Sequence, residues 1–494
     1  MAINYIPNDP RAGSTAPPTR EQSPRANRPS TKSGFTFSDT SPEGVFAPGT
    51  SAFLFWQCRE AAIAAVQAWE ASAGRHKKWQ GNRKKLPLFQ DNGEDLNAFY
   101  DRQSFSFFHQ TIGGTTFFSG ASTDVVAHEV GHGLLDSVRP DFFDVNFLEV
   151  GALHEAFGDC MALLTALDDK DTRDRLLANA PNLRKQNFVE STAEDLSEGI
   201  RRFDSNHNAA EPRHAFNKFQ YQIPSTLPSN GGPGELINEV HSFGMLFSGC
   251  FWELIANIFA ENSSQTEATL KSAATLAGKI LIAGVKNAMI TPRFLQSVGR
   301  AMVLADNLLH GGGNRDHIRN AFQAHNILLG SNAMVAPSMV LDGAAPKGKT
   351  LSPATRKDLK ARLGASRGAK MSLAAADLFG EKVVHVLNTR EVPLGGVDKA
   401  LKGVVAVAHE PVNVGGSGGR AAVIGVMPQP DDTDMETIEF VKTLVEHGRI
   451  DLDKKKKGAV ARAPDGKQST TTHAIKSVGG KKVLTRIRFL CGHH

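Results

Sequence analysis

The string His128-Glu129-Val130-Gly131-His132 places two imidazoles and a carboxylate at a spacing that suits metal chemistry. Positions four apart share one face of a helix, so His128 and His132 can each offer a ring nitrogen to a single ion. Glu129 sits beside them, close enough to take a proton from a water on that ion. Neutral imidazoles suit zinc, and a catalytic zinc usually keeps three protein ligands and a water. A third ligand must therefore come from elsewhere in the chain.

A second helical stretch, Gly151-Ala-Leu-His-Glu-Ala-Phe-Gly-Asp159, follows after a loop rich in Phe and Asp. Glu155 and Asp159 are again four apart and share a face. Glu155 reads as the third ligand, and Asp159 as acceptor for the free ring nitrogen of a zinc histidine, which would fix its tautomer. A lone motif of the first kind competes with a solvated helix carrying two hydrogen-bonded histidines. An acidic pair at matched spacing one short hop away speaks against that simpler reading. Ser122 or Thr123 can cap the first helix, Asp124 complements its dipole, and Val125, Val126, Val130 and Leu134 give it an apolar side. Gly131 and Gly133 oppose helix formation by about 1 kcal/mol each relative to Ala; their missing side chains could instead permit close packing beside the metal.

These residues resemble the thermolysin family of zinc endopeptidases, in order as well as content. Asn97-Ala-Phe-Tyr100 comes first, then Ser119 through His132, then Gly151-Ala-Leu-His-Glu155 with Asp159, then Val240-His-Ser242, and a helical run ending Arg319-Asn-Ala-Phe322. The resemblance covers roughly residues 45–329. It implies zinc held by His128, His132 and Glu155, with Glu129 as general base, Asp159 supporting a ligand and His241 stabilising the oxyanion. It also implies that Asn97 and Ala98 lie on an edge strand that pairs with the peptide substrate. Arg201 matches the arginine that supports the third ligand and the substrate carbonyl, with Arg202 nearly as good a match. His241 alone would pass for an ordinary helix residue; its place relative to the other motifs favours the catalytic role.

Several positions depart from the family pattern. His154 stands where an asparagine is expected before the glutamate ligand, and the loop from His132 to Glu155 is a few residues longer. The second oxyanion donor, a tyrosine, has no clear counterpart; Phe143 or Asn146 falls near its place. No aspartate precedes His241 at the family's spacing, which leaves Glu235, Asn238 or Glu239 to orient it. Asp124 matches one calcium ligand, but Ala166 falls where another acid belongs, which puts calcium in doubt.

The elements that must position these groups can be read as well. Apolar spacing predicts a helix from Ala52 to Ser72 ending at Gly74, then strand-like residues 96–119, with a hairpin turning at Gly113-Gly114 between Phe107-Phe108 and Phe117-Phe118. After the two metal helices come helices over Asn238–Phe259, Thr266–Ala288, Pro292–His310 and Asp316–Ala324. The implied class is α+β: a thermolysin-like, two-lobed peptidase with a β-containing N-terminal lobe over 45–137, a helical lobe over 138–329, and a cleft between them. Residues 330–494 lie outside the resemblance and read as a linker and a small α+β appendage. Its strands fall over Val383–Leu387, Val404–Ala408 and Ala421–Val426, with a helix from Asp434 to Val445 and a hairpin of Thr472–Val478 with Lys482–Leu490. The ending Cys491-Gly-His-His494, with His473 nearby, reads as a frayed terminus ahead of a second metal site.

The chain of 494 residues has a net charge of +5 and 40% apolar residues, normal for a soluble protein. Its one basic run, Lys454–Lys457, reads as a solvated loop, so no nucleic-acid partner is expected. No stretch reads as a membrane span. Residues 1–44 are Pro-, Ser-, Thr- and Arg-rich, lack a signal peptide's apolar segment, and read as a disordered tail. Cys58, Cys160, Cys250 and Cys491 have no framework spacing and read as buried thiols. Cytoplasmic residence or leaderless export follows as the expectation, with a peptide or protein as substrate. The functional expectation is a zinc metalloendopeptidase preferring an apolar residue after the scissile bond, a preference that the resemblance implies. The alternatives are a catalytically weak zinc-peptidase fold that binds peptides, and an exopeptidase gated by the C-terminal appendage.

Overall fold

The N-terminal segment is packed, against its compositional expectation of disorder. In the computed structural model, which describes residues 2–29, 31–330, 337–365, 371–378, 381–425, 427, 429–452 and 470–491, strands β1 (Ile3–Tyr5) and β2 (Arg20–Gln22) pair antiparallel, and β3 (Gly34–Phe37) joins a larger sheet. Ile3, Tyr5 and Ile6 are buried against the 23-residue helix α1 (Ser51–Ala73) and its surroundings. Gln57 of that helix both donates to and accepts from the backbone of Ile6, at 3.0 and 2.8 Å. The arginines that made the composition look disordered are paired: Arg20 with Asp169, Arg25 with Glu60 and Arg28 with Glu70. A few apolar anchors and satisfied charges thus hold a segment whose mean composition is polar.

Strands β4 (Lys85–Phe89), β5 (Ala98–Tyr100) and β6 (Phe105–Phe107) continue the sheet. The expected hairpin turns at Gly113-Gly114 but joins β7 (His109–Ile112) to β8 (Thr115–Phe118), and β6 stands apart from it. Both turn glycines have positive φ, 58° and 77°, as a tight two-residue hairpin turn requires. Next come helices α2 (Thr123–Val138), carrying the HEVGH string, and α3 (Leu148–Asp168), carrying Glu155 and Asp159. Ser122 caps α2 as read, its hydroxyl accepting from Val125 N, and Asp124 lies in the first turn. Nearly every residue of α3 is buried, which suits a helix that is apolar all round. Helix α4 (Lys170–Asn179), strand β9 (Ser191–Thr192), helix α5 (Glu194–Phe203) and strand β10 (Arg213–His214) lead to four helices: α6 (Val240–Ala260), α7 (Glu267–Asn287), α8 (Phe294–His310) and α9 (Arg315–Gln323).

Three of these helices, α3, α6 and α7, are long and apolar enough by length and composition to cross a membrane, which corrects the expectation that no stretch would qualify. Their apolar windows are 100%, 83% and 56% buried inside the protein, so core packing accounts for the apolar character of α3 and α6, and for about half of it in α7.

The C-terminal region is a sheet flanked by helices. Strand β11 (Pro337–Ala344), helix α10 (Pro353–Arg362), strands β12 (Met371–Leu378), β13 (Glu381–Pro393), β14 (Val404–Ser417) and β15 (Arg420–Ile424) come first. Helix α11 (Pro430–Glu446) begins four residues before the expected Asp434, because Pro430 supplies a first-turn residue. Strands β16 (Ile450–Asp451), β17 (His473–Val478) and β18 (Lys481–Arg486) complete the eight-stranded sheet, with β17 and β18 forming the hairpin read at Gly479-Gly480. The lysine run 454–457 lies outside the described residues. Strand β19 (Phe489–Leu490), read as the end of that hairpin, instead leaves it and pairs antiparallel with β5. The N-terminal sheet therefore runs β19-β5-β6-β4-β3, and its edge beyond β5 is covered by the chain's own end. Val392, Leu394, Val404, Phe440 and Leu484 share a continuous core with α1, α2 and α3, whereas Leu341, Val386 and Val414 belong to a separate cluster.

Candidate metal centre

Helices α2 and α3 pack so closely that glycine is required where they meet. A Cβ on Gly158 would lie 2.6 Å from His128 Nδ1, and one on Gly131 would lie 3.0 Å from the Gly158 Cα. The sequence left open whether Gly131 and Gly133 weaken the helix or admit a close approach; Gly131 faces Gly158 of α3, while a Cβ on Gly133 would lie 2.7 Å from the Phe105 ring. The close approach of α2 and α3 brings His128, His132 and Glu155, all fully buried, to within 4.8 Å of one another by their ligand atoms. Glu155 Oε2 lies 3.2 Å from His128 Nε2 and 3.5 Å from His132 Nε2.

The residues fit a zinc ion. His132 Nε2, Glu155 Oε1 and both carboxylate oxygens of Glu129 are buried with no hydrogen-bond partner, a costly state unless a further group satisfies them. Two nitrogens and a carboxylate oxygen are the donor types that zinc takes. Burial raises the Glu129 carboxyl to about 8, against the pull of His128. Burial also opposes the Glu155 charge, but His241 and His132 overcome it and hold that carboxyl well below its usual range.

Each of the two histidines is oriented from behind. His128 Nδ1 meets Asp159 Oδ1 at 2.8 Å, as read. Asp159 receives Arg213, whose Nε donates at 3.1 Å and Nη2 at 2.9 Å to Oδ1. Burial works against the Asp159 charge, yet Arg213 and His128 bring its carboxyl down to about 2. His132 Nδ1 meets His154 Nδ1 at 2.8 Å, so His154 serves where the family has asparagine.

Arg201 is corrected. It is bound to Glu198, to the carbonyl of Ala210 and to Glu211, and Arg202 is bound to Glu198 and Thr115. The arginine at the centre is Arg213, twelve residues on, placed by a two-residue ladder of β10 with β9 that carries no periodic signal. His241 lies at the start of α6, where Glu239 caps the helix through the backbone N–H groups of His241 and Ser242. The same Glu239 meets His241 Nδ1 at 2.8 Å, which selects it from the three candidates. His241 Nε2 lies 3.2 Å from Glu155 Oε2 and donates to the Leu490 carbonyl at 2.6 Å. Asn97 immediately precedes β5 and Ala98 begins it: Asn97 Oδ1 accepts from Ala98 N, and the Ala98 carbonyl accepts from Cys491 N at 2.9 Å. Phe143 is buried near the centre, 5.3 Å from Phe489 between ring centroids.

Of the ending read as a frayed terminus, residues 492–494 lie outside the described residues, and only Cys491 is corrected. Cys491 is buried, and its Sγ lies within 4.8 Å of ligand atoms of His128 and Glu129. No spacing rule reaches from residue 132 to residue 491, so the sequence offered no signal beyond the residue type.

A second acidic cluster stands apart. Asp9, Asp124 and Glu194 bring carboxylate oxygens within 4.8 Å of one another, with Asp9 Oδ2 and Glu194 Oε2 lacking a partner. Ala166, where the family pattern puts an acid, is buried among apolar neighbours in α3.

Residues 114–333 match the family model of the fungalysin metallopeptidases, a zinc metallopeptidase family of the thermolysin-like type. The match takes in both metal helices and His241, and bears out the resemblance read from the motifs. No curated protein matches the chain.

Proposed function

We propose that this zinc metallopeptidase, whose residues 114–333 are those of the fungalysin type, is an endopeptidase acting in a cleft between a β-containing lobe and a helical lobe. Zinc, when bound by His128, His132 and Glu155, supplies an activated water and a Lewis acid for the scissile carbonyl. Glu129 takes the proton of that water and returns it to the departing amine, a role typically contributing about 10²–10⁴-fold. His241 Nε2 donates to the oxyanion, and its imidazole is held by Glu239 for that purpose. Strand β5 binds the substrate backbone as an added antiparallel strand.

The observation that carries this reading is the Glu129 carboxylate, buried beside the ligand set with neither oxygen satisfied. His241 supports it, because its Nε2 already reaches a peptide carbonyl lying along β5. A cavity of about 460 Å³, lined by Leu196, Ile200, Ile237 and Met245 but also by Asp204, Glu211 and Arg449, reaches Arg213 and Cys491 and leaves room for a substrate side chain next to the scissile bond. Four buried, unpaired cysteines accord with a reducing compartment as the place of action.

The test compares the zinc-loaded protein with Glu129→Gln on a quenched peptide library, with metal content measured for both. One zinc in each and cleavage of internal bonds lost by about 10²–10⁴-fold in the variant is expected. Equal rates would overturn the role of Glu129, and release of terminal residues alone would replace the endopeptidase by an exopeptidase.

A further inference from the structure

The last described residues lie in the cleft in the manner of a bound peptide. Strand β19 adds to β5 in antiparallel register, Phe489 opposite Tyr100 and Leu490 opposite Phe99. The pairing runs on through Cys491 N to the Ala98 carbonyl. The Leu490 carbonyl takes the hydrogen bond of His241. The Phe489 ring stacks on His154 at 4.0 Å and on His132 at 4.8 Å. Arg488 covers Phe99 at 5.1 Å. Beyond Leu490 the Cys491 Sγ turns in towards His128 and Glu129, 3.6 Å from Arg213 Nη2.

A thiol in this place is more than a buried side chain. The Glu129 carboxylate facing it has both oxygens unpartnered, and so has His132 Nε2 across the centre. A thiolate is a strong zinc ligand, and zinc sites closed by four protein ligands keep no water for chemistry. We propose that Arg488–Cys491 is an inhibitory strand of this peptidase, and that Cys491 Sγ, which lies beside His128 and Glu129 and outside the His128-His132-Glu155 group, would move onto zinc held by those three residues as its fourth ligand. The inference rests on the zinc-peptidase reading and adds to it how the site is restrained. On binding, the thiol would release its proton to water and offer the sulfur lone pair to the metal. The position of the activated water would then be filled.

The strand and the thiol hold the cleft by separate means. β19 blocks β5, so a substrate cannot add to the sheet until the terminus leaves; Cys491 blocks the metal. A cleft covered about 90% of the time lowers apparent activity about tenfold, and loosening either hold should recover that factor.

The experiment uses the full chain loaded with cobalt(II) for spectroscopy and with zinc for activity. Cobalt loading should give a sulfur-to-metal charge-transfer band in the near ultraviolet, absent from Cys491→Ser. Alkylation of the loaded, folded wild type, mapped by mass spectrometry, should spare Cys491 until the metal is chelated; this needs no variant. In the zinc form, Cys491→Ser and separately Phe489→Asp should cut a quenched peptide about tenfold faster than wild type or more. No sulfur band and no protection of Cys491 overturns the coordination. A band with variants no faster than wild type, all cutting well, overturns the inhibition. A band lost in Cys491→Ser, with no cleavage by any form, keeps the thiolate ligand and removes the peptidase reading instead.

Discussion

His154 and His132 meet through their Nδ1 atoms at 2.8 Å, so one imidazole donates and the other accepts. With His132 Nε2 reserved for the metal, its Nδ1 carries the proton and His154 Nδ1 accepts it. Burial lowers His154 well below the usual histidine range, which keeps it neutral and able to accept. Replacing His154 by Asn preserves an acceptor and should leave zinc affinity near wild type. Replacing it by Phe should weaken zinc binding about 10–100-fold. Competition with a chromogenic chelator measures both; equal affinity in the Phe variant would show that the contact does not orient the ligand.

Arg213 reaches the candidate metal centre through Asp159 and His128. Its planar fork makes two donors available to one carboxylate, which a lysine cannot copy. Arg213→Met should reduce zinc affinity about 10–100-fold, with Arg213→Lys recovering only part. Arg201→Ala, at the surface among Glu198 and Glu211, should leave zinc affinity unchanged. A loss in Arg201→Ala as large as that in Arg213→Met would restore the assignment read from the sequence.

The difference between those two arginines marks the limit of reading the sequence. The candidate site stood out because His128 and His132 share α2, and Glu155 and Asp159 share α3, each pair at a spacing of four that fixes a shared face. Most helices were legible for the same reason, with the cap read at Ser122 in place. Arg213 and Cys491 reach the centre through tertiary packing, from strands two residues long or from the chain's end, and no local period announces either. The N-terminal segment misled through its average: Ile3, Tyr5 and Ile6 are few, but they are placed against α1, and the arginines around them are paired.

Gly158 tests the close approach of α2 and α3. Alanine is the better helix former by about 1 kcal/mol, so a site with room would gain stability from Gly158→Ala. Here the new methyl meets the His128 ring, at 2.6 Å from Nδ1 and 2.8 Å from Cγ, and that ring is pinned by Asp159. Overpacking should destabilise by about 1–3 kcal/mol and displace His128 from the metal. Urea unfolding and zinc titration should both fall; an alanine variant as stable as wild type would mean that the helices can part without loss.

Asp9 belongs to the segment that was expected to be disordered, and it brings charge to the start of the metal helix. Burial and the nearby charges of Asp124 and Asp195 raise its carboxyl well above the usual range. A carboxyl raised on folding opposes the folded state once the unfolded chain would ionise it, so stability falls as pH rises from about 4 through the raised value. Asp9 Oδ1 accepts from Arg11 N at 2.8 Å and Asp195 N at 3.0 Å, and an asparagine oxygen can keep both. Its amide would turn a donor to Asp124 and Glu194 in place of an anion. In metal-free buffer, Asp9→Asn should match wild type near pH 4 and be the more stable near pH 8, because only the wild type must ionise a buried carboxyl over that range. Thermal melts at the two values decide it: a variant less stable at pH 8 would mean that the carboxylate is stabilised by a group other than its own neighbours in the fold.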